Sequence, residues 1–107
     1  MTDEVFDGSL IDDAWLTLEQ LAGACEVEAG WLHHHIEQEL FPEAQSIAGV
    51  WRFSGACLVR ARRMRRLERD FDAVPELAAL FADLLEERDR LRARLLAVRQ
   101  HGDVRGE

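Results

Sequence analysis

The sequence predicts a mainly α-helical fold: a helix-turn-helix with a small β-hairpin wing, followed by two helices, the last long and coiled-coil-like. Three observations predict it. Apolar residues recur at three- and four-residue steps through much of the 107-residue chain, which places them on one helix face. There are only two prolines, Pro42 and Pro75, and each falls where one periodic stretch gives way to another. Near the end, Leu77, Leu84, Leu91 and Val98 recur every seven residues, the repeat of a coiled-coil seam.

Residues 1–13 read as a polar leader, with Asp12 and Asp13 before the first apolar cluster. Ala14-Trp15-Leu16 is a short strand or an extended approach to the first helix. Thr17-Leu18-Glu19-Gln20 is a helix-start pattern. The Thr17 hydroxyl caps free backbone N–H groups, and the Gln20 amide reaches back to Thr17. Leu18, Leu21 and Ala22 then face the core, and the helix is expected to stop near Gly23 or Ala24. Cys25-Glu26-Val27 reads as a turn into a second helix, from about Glu28 to Glu39 or Leu40. On it Leu32, Ile36 and Leu40 make one apolar stripe. Two short helices joined by a tight turn form a helix-turn-helix.

Pro42 ends the second helix, because proline lacks the N–H that would continue it. Ala48–Phe53 alternates and carries a glycine turn signal at its start. With Leu40-Phe41 it is read as the hairpin of a wing. Ser54 caps a third helix over about 55–71, with Leu58, Ala61, Met64, Leu67 and Phe71 inward and the arginines from Arg60 to Arg69 on the other sides. Pro75 suits the first position of a last helix that runs to about Gln100. At 1.5 Å per residue such a helix is about 37 Å long, more than a small body can cover. Leu77, Leu84 and Leu91 then take d positions, and Phe81, Arg88 and Leu95 take a positions, of a homodimer interface. Arg88 would fix the register or pair with a partner acid. The domain plan is thus a leader at 1–13, a winged helix-turn-helix at 14–73, a dimerisation helix at 74–100 and a frayed tail at 101–107.

Charge narrows the function. The formal net charge is −8, unevenly spread. Residues 1–51 hold eleven acids and no Lys or Arg, and residues 52–69 hold seven Arg and one acid, Glu68. Residues 70–107 hold nine acids and six Arg. In a DNA reader, the second helix of a helix-turn-helix enters the major groove and needs basic or amide side chains. Here that helix carries Glu28, Glu37 and Glu39 and no Lys or Arg. Phosphate would meet repulsion where counterion release should supply affinity. Nucleic acid is therefore expected to be a poor partner, and a protein the better one. No run of 18 apolar residues offers a membrane span, and the acidic start is unlike a secretory signal, so the cytoplasm is the expected location. Cys25 and Cys57 are expected to be reduced, buried, small hydrophobes.

Little else suggests chemistry. His33-His34-His35 invites a metal, but consecutive helical residues point about 100° apart and cannot grip one ion. An exposed helix face is the expectation, with no metal. The chain has no glycine-rich phosphate loop, no Cys-x-x-Cys and no Gly-x-Ser-x-Gly, and its acids are spread over solvated faces. No catalytic residue and no cofactor are assigned, and the chain is not expected to be an enzyme.

Thr17-Leu18-Glu19-Gln20-Leu21, the Trp31–Phe41 helix and Gly49-Val50-Trp51-Arg52-Phe53 resemble the winged helix-turn-helix of MerR-like proteins. The wing of that family carries a Gly-aromatic-Arg-aromatic run, here with Val50 inserted. The stretch Arg63–Leu95 resembles the chaperone-modulator branch, the CbpM-like proteins, in which an Arg-Leu-x-x-Asp helix leads into a long Leu-, Asp- and Glu-rich helix with Arg-Leu repeats. The resemblance spans about residues 14–96. It implies a regulatory protein that binds the J-domain of a DnaJ-like co-chaperone of the CbpA type and inhibits its stimulation of a DnaK-type chaperone. J-domains touch that chaperone through a basic helix, so the resemblance makes the acidic half of this chain the binding side. The candidate partner-binding residues are Glu19, Glu26, Glu28, Glu37, Glu39 and Glu43, with Trp31 as apolar anchor. The alternative is a MerR-type DNA-binding transcriptional regulator using Arg52 and the helix at 60–69.

Overall fold

The computed structural model describes residues 15–105, with side chains through residue 100. The leader expected at 1–13 lies outside the described residues. In chain order the elements are α1 (Leu18–Cys25), α2 (Ala29–Glu37), β1 (Gln45–Ile47), β2 (Val50–Arg52), α3 (Gly55–Phe71) and α4 (Pro75–Arg105). The fold is mainly helical, with a two-stranded hairpin between the helix pairs and a long last helix. This is the winged helix-turn-helix arrangement the sequence predicts.

Local chemistry accounts for the helix-turn-helix. The Thr17 hydroxyl accepts from the Gln20 N–H at 3.0 Å, and the Gln20 amide oxygen accepts from the Thr17 N–H at 2.9 Å. The predicted capping box is therefore present, a device worth about 1 kcal/mol. Beyond α1, Val27 N–H donates to the Ala22 carbonyl at 3.0 Å and Glu26 N–H to Gly23 at 3.2 Å. Glu26 is left-handed at φ 59°, ψ 43°. Beyond α2, Leu40 N–H donates to His35 at 3.0 Å and Glu39 N–H to Ile36 at 2.9 Å, with Glu39 at φ 60°. Both helices thus close with the same left-handed wrap, which satisfies carbonyls that a helix end leaves free. That wrap stops α2 at Glu37, slightly short of the predicted end.

The wing is built differently from the expectation. Val50–Arg52 does pair in a hairpin, but with Gln45–Ile47 and not with Leu40-Phe41. The register is Gln45↔Arg52, Ser46↔Trp51 and Ile47↔Val50. A two-residue turn, Ala48-Gly49, joins the strands with φ of 53° and 79°. Positive φ at both positions matches the strand twist, and glycine takes the second at no steric cost. Leu40 and Phe41 serve the core instead: Phe41 is buried and meets the Trp31 ring edge-on at 6.4 Å. Leu16 bridges Phe53 through two backbone bonds, of 2.7 and 2.9 Å, which draws the approach to α1 onto the base of the wing.

Leu21, Leu32, Phe53, Cys57, Ala61 and Met64 meet at the centre of the core, each at most 1% exposed. Burial of each large side chain among them contributes roughly 1.5–3 kcal/mol. Cys25 and Cys57 are buried and free, as expected. Burial pushes both thiols above their ordinary range, which keeps them protonated. From α4 only small residues, Ala78, Ala79 and Ala82, enter the core, which lets the helix lie close to α3.

Two expectations for α3 need correction. Phe71, predicted inward, is 72% exposed, because the last turn of α3 runs beyond the elements that cover its earlier turns. Arg60, predicted outward, is buried. Its Nε donates to the Leu40 carbonyl at 2.8 Å, and its Nη1 donates to Asp83 at 2.7 Å and Glu86 at 3.0 Å. Burial alone would lower its pKa, but those hydrogen bonds and charges outweigh it and hold the guanidinium above its ordinary value. Arg60 thereby ties the end of the helix-turn-helix to both later helices.

Candidate partner-binding face

The face starts with a hydrogen-bonded group that the sequence hid. His33 and His34 are exposed as expected, but His35 is only 2% exposed. Its Nδ1 lies 2.6 Å from the Trp31 carbonyl oxygen, and its Nε2 lies 2.7 Å from Oε2 of Glu68 on α3. A carbonyl only accepts, so Nδ1 is the donor to Trp31, and Nε2 faces the carboxylate. The other oxygen of Glu68 accepts from Trp31 Nε1 at 3.0 Å. The Trp31 and His35 rings stack with centroids 3.8 Å apart. One carboxylate thus fixes two rings and holds α2 against α3.

So fixed, half-buried Trp31 forms a wall of an open cleft of about 380 Å³. The other walls are Glu26, Val27 and Glu28 from the α1–α2 turn, and Arg65, Glu68 and Arg69 from α3. Val27 and Trp31 are its apolar walls, and Glu26 and Glu28 are exposed. This cleft brings together three of the predicted contacts, Glu26, Glu28 and Trp31. The others lie elsewhere. Glu19 is exposed in the first turn of α1, and Glu37, Glu39 and Glu43 are exposed at and beyond the end of α2. His35 and Glu68 were missed, although position 35 lies three residues after Leu32, on the buried side of that helix.

The predicted dimer residues lie along one exposed stretch of α4. Leu77, Phe81, Leu84, Leu91 and Leu95 are all between 43% and 58% exposed. Arg88 is exposed among them and bonds its neighbour Asp89 at 3.2 Å. Asp89 also accepts from Arg63 at 2.7 Å, and these two bonds, Arg63 first, hold its carboxyl below the ordinary carboxylate range. Every residue from Glu87 to Gln100 is exposed. Among the described residues no three His, Cys, Asp or Glu side chains are grouped as metal ligands. No helix of the structure is long and apolar enough to cross a membrane.

Residues 16–100 match the family model described as MerR HTH family regulatory protein. No curated protein and no solved structure matches the chain.

Proposed function

The chain belongs to the MerR HTH family of regulatory proteins, and we propose that it regulates by binding a protein: the J-domain of a DnaJ-like co-chaperone of the CbpA type, whose stimulation of a DnaK-type chaperone it inhibits. On this reading it is a cytoplasmic binding protein and not an enzyme, needs no cofactor, and pairs with a second copy of itself through α4. The observation that carries the reading is the charge of the helix-turn-helix. Glu26 and Glu28 precede α2, Glu37 ends it and Glu39 follows it, all exposed, and no Lys or Arg lies on it. A basic helix laid against this surface gains attraction that speeds its encounter, with Trp31 and Val27 as apolar contact. A phosphate backbone laid along α2 meets repulsion from those four glutamates.

Backbone geometry adds support. Glu26 and Glu39 hold left-handed positions that glycine or asparagine would fill without strain. Both also stand at helix C-termini, where a negative charge opposes the helix dipole. A carboxylate in such a position is costly to the fold, as it is for Asp72 at the end of α3, and on the helix-turn-helix both Glu26 and Glu39 are exposed to a partner. The homodimer is supported by the exposed apolar stretch of α4, a surface that a lone small domain rarely leaves to water.

The DNA-binding regulator remains the second reading, favoured by Arg52, which is exposed on the wing beside Ile47 and Val50. A chaperone ATPase assay tests the first. J-domain-stimulated hydrolysis should fall as the chain is added. The pair Glu26→Lys and Glu28→Lys should raise the half-inhibitory concentration about tenfold or more. Inhibition unchanged by both substitutions would overturn the proposed surface.

A further inference from the structure

Arg65 and Arg69 also border a second groove, where the end of α1 meets α3. Its lining is Cys25, Arg62, Arg63, Arg65, Arg66 and Arg69, around about 300 Å³, and no carboxylate is part of it. Arg62, Arg65, Arg66 and Arg69 follow one another at i, i+3, i+4 and i+7, so they stand on one side of α3 along about 10 Å. Like charges at that spacing repel. The chain has 21 acids for its 13 basic residues, so the cluster does not arise from a shortage of carboxylates.

Part of the cluster has a structural task. Arg62 Nη2 lies 3.4 Å from the Ala24 carbonyl near the end of α1. Arg69 pairs with Asp70 in the last turn of α3, where a cation suits the helix dipole. Arg63 gives Nη2 to Asp89, while its Nη1 is buried without a hydrogen-bond partner. Arg65 and Arg66 make neither a side-chain hydrogen bond nor an ion pair among the described residues. Two residues of a positive groove therefore keep their guanidinium donors free of protein partners among the described residues.

We propose that this groove docks a short acidic helix of a partner protein, whose carboxylates at i and i+3 or i+4 pair with Arg65 and Arg66. Guanidinium and carboxylate match each other with two parallel hydrogen bonds, and because Arg65 and Arg66 both line this groove, the acids that fit must share one face of the partner helix. Length selects against a long polyanion. The positive surface ends after about 10 Å. Glu26 and Glu28 flank Arg65 and Arg69 on the cleft side, and exposed Asp70 and Asp72 follow at the end of α3. A duplex carries a charge every 1.7 Å or so along its axis and would run onto those carboxylates. A short helix places its charges only where the arginines stand. This groove shares Arg65 and Arg69 with the cleft but neither Glu26 nor Glu28, so it is a second contact and does not rest on the J-domain reading.

Fluorescence anisotropy on the full chain tests it, with three labelled probes: a short helical peptide with glutamates on one face, the same residues scrambled around the helix, and random duplex DNA. The one-faced peptide should bind, and the scrambled peptide and the duplex should bind more weakly. Arg65→Gln with Arg66→Gln should weaken peptide binding about tenfold. Glu37 lines neither the cleft nor this groove, so Glu37→Lys should leave peptide binding unchanged while altering J-domain affinity, which separates the two surfaces. Circular dichroism checks that each variant is folded; both arginines reach the surface, so the fold is expected to hold. Equal binding of both peptides, tighter binding of the duplex, no peptide binding, or peptide binding that survives the double substitution would each overturn the proposal.

Discussion

Glu26 and Glu39 close α1 and α2 with φ of 59° and 60°, in the part of backbone space that suits glycine. The left-handed conformation costs an L residue about 1–2 kcal/mol, and a carboxylate at a helix C-terminus adds a few tenths. Glu26→Gly should therefore raise stability by about 1 kcal/mol in urea unfolding, as glycine suits the angle, and Glu39→Gly should do the same. Both should weaken J-domain binding. Lower stability would refute the strain, and unchanged affinity would refute its use. These angles were not legible beforehand, because each depends on backbone bonds wrapped around a helix end. Two side chains at the heart of the structure were equally hidden. Arg60 falls on the same arc as Cys57, Ala61 and Met64, but its acceptors Asp83 and Glu86 lie more than twenty residues away. His35 looked like one of three surface histidines until Glu68, from another helix, reached it.

Elements whose causes are local were the legible ones. Thr17 and Gln20 announce α1, Pro75 opens α4, and the apolar steps of α3 gave its bounds. The wing was legible only in one strand. Gln45–Ile47 is exposed at every position, so no alternation marks it, and Ala48 is an unusual residue for a left-handed turn position. In α4 the heptad residues are visible in the sequence, but the alanines that dock the helix on α3 lie between them and carry no strong apolar signal. Ala78, Ala79 and Ala82 face inward, and Leu77, Phe81, Leu84, Leu91 and Leu95 are left to solvent. A second copy seated on this stretch is the proposed use. Sedimentation of the wild-type chain should give a dimer, and Leu84→Asp should give a folded monomer, since Leu84 is 58% exposed and outside the core of one chain. A wild-type monomer at high micromolar concentration would rule the seam out.

At the scale of the whole molecule, shape and charge separate the tasks. The radius of gyration is 16.5 Å, against about 13 Å for a compact chain of this size. The 55 Å long dimension is consistent with a 31-residue α4 outreaching the body. The acids of the helix-turn-helix and the arginines of α3 meet along one line, Glu26 and Glu28 on one side of Arg65 and Arg69, and Arg62 and Arg66 on the other. The acidity of that half was legible in the sequence by counting. Which glutamates share a surface was not, because the α1–α2 turn and the Trp31–His35–Glu68 group decide it. The most direct test of the central claim is side-by-side anisotropy of this chain against a purified J-domain and random duplex DNA, at low and moderate salt. The predicted result is micromolar or tighter binding to the J-domain, weakening as salt is added, with the duplex left unbound in that range. Micromolar binding to the duplex with none to the J-domain would contradict it.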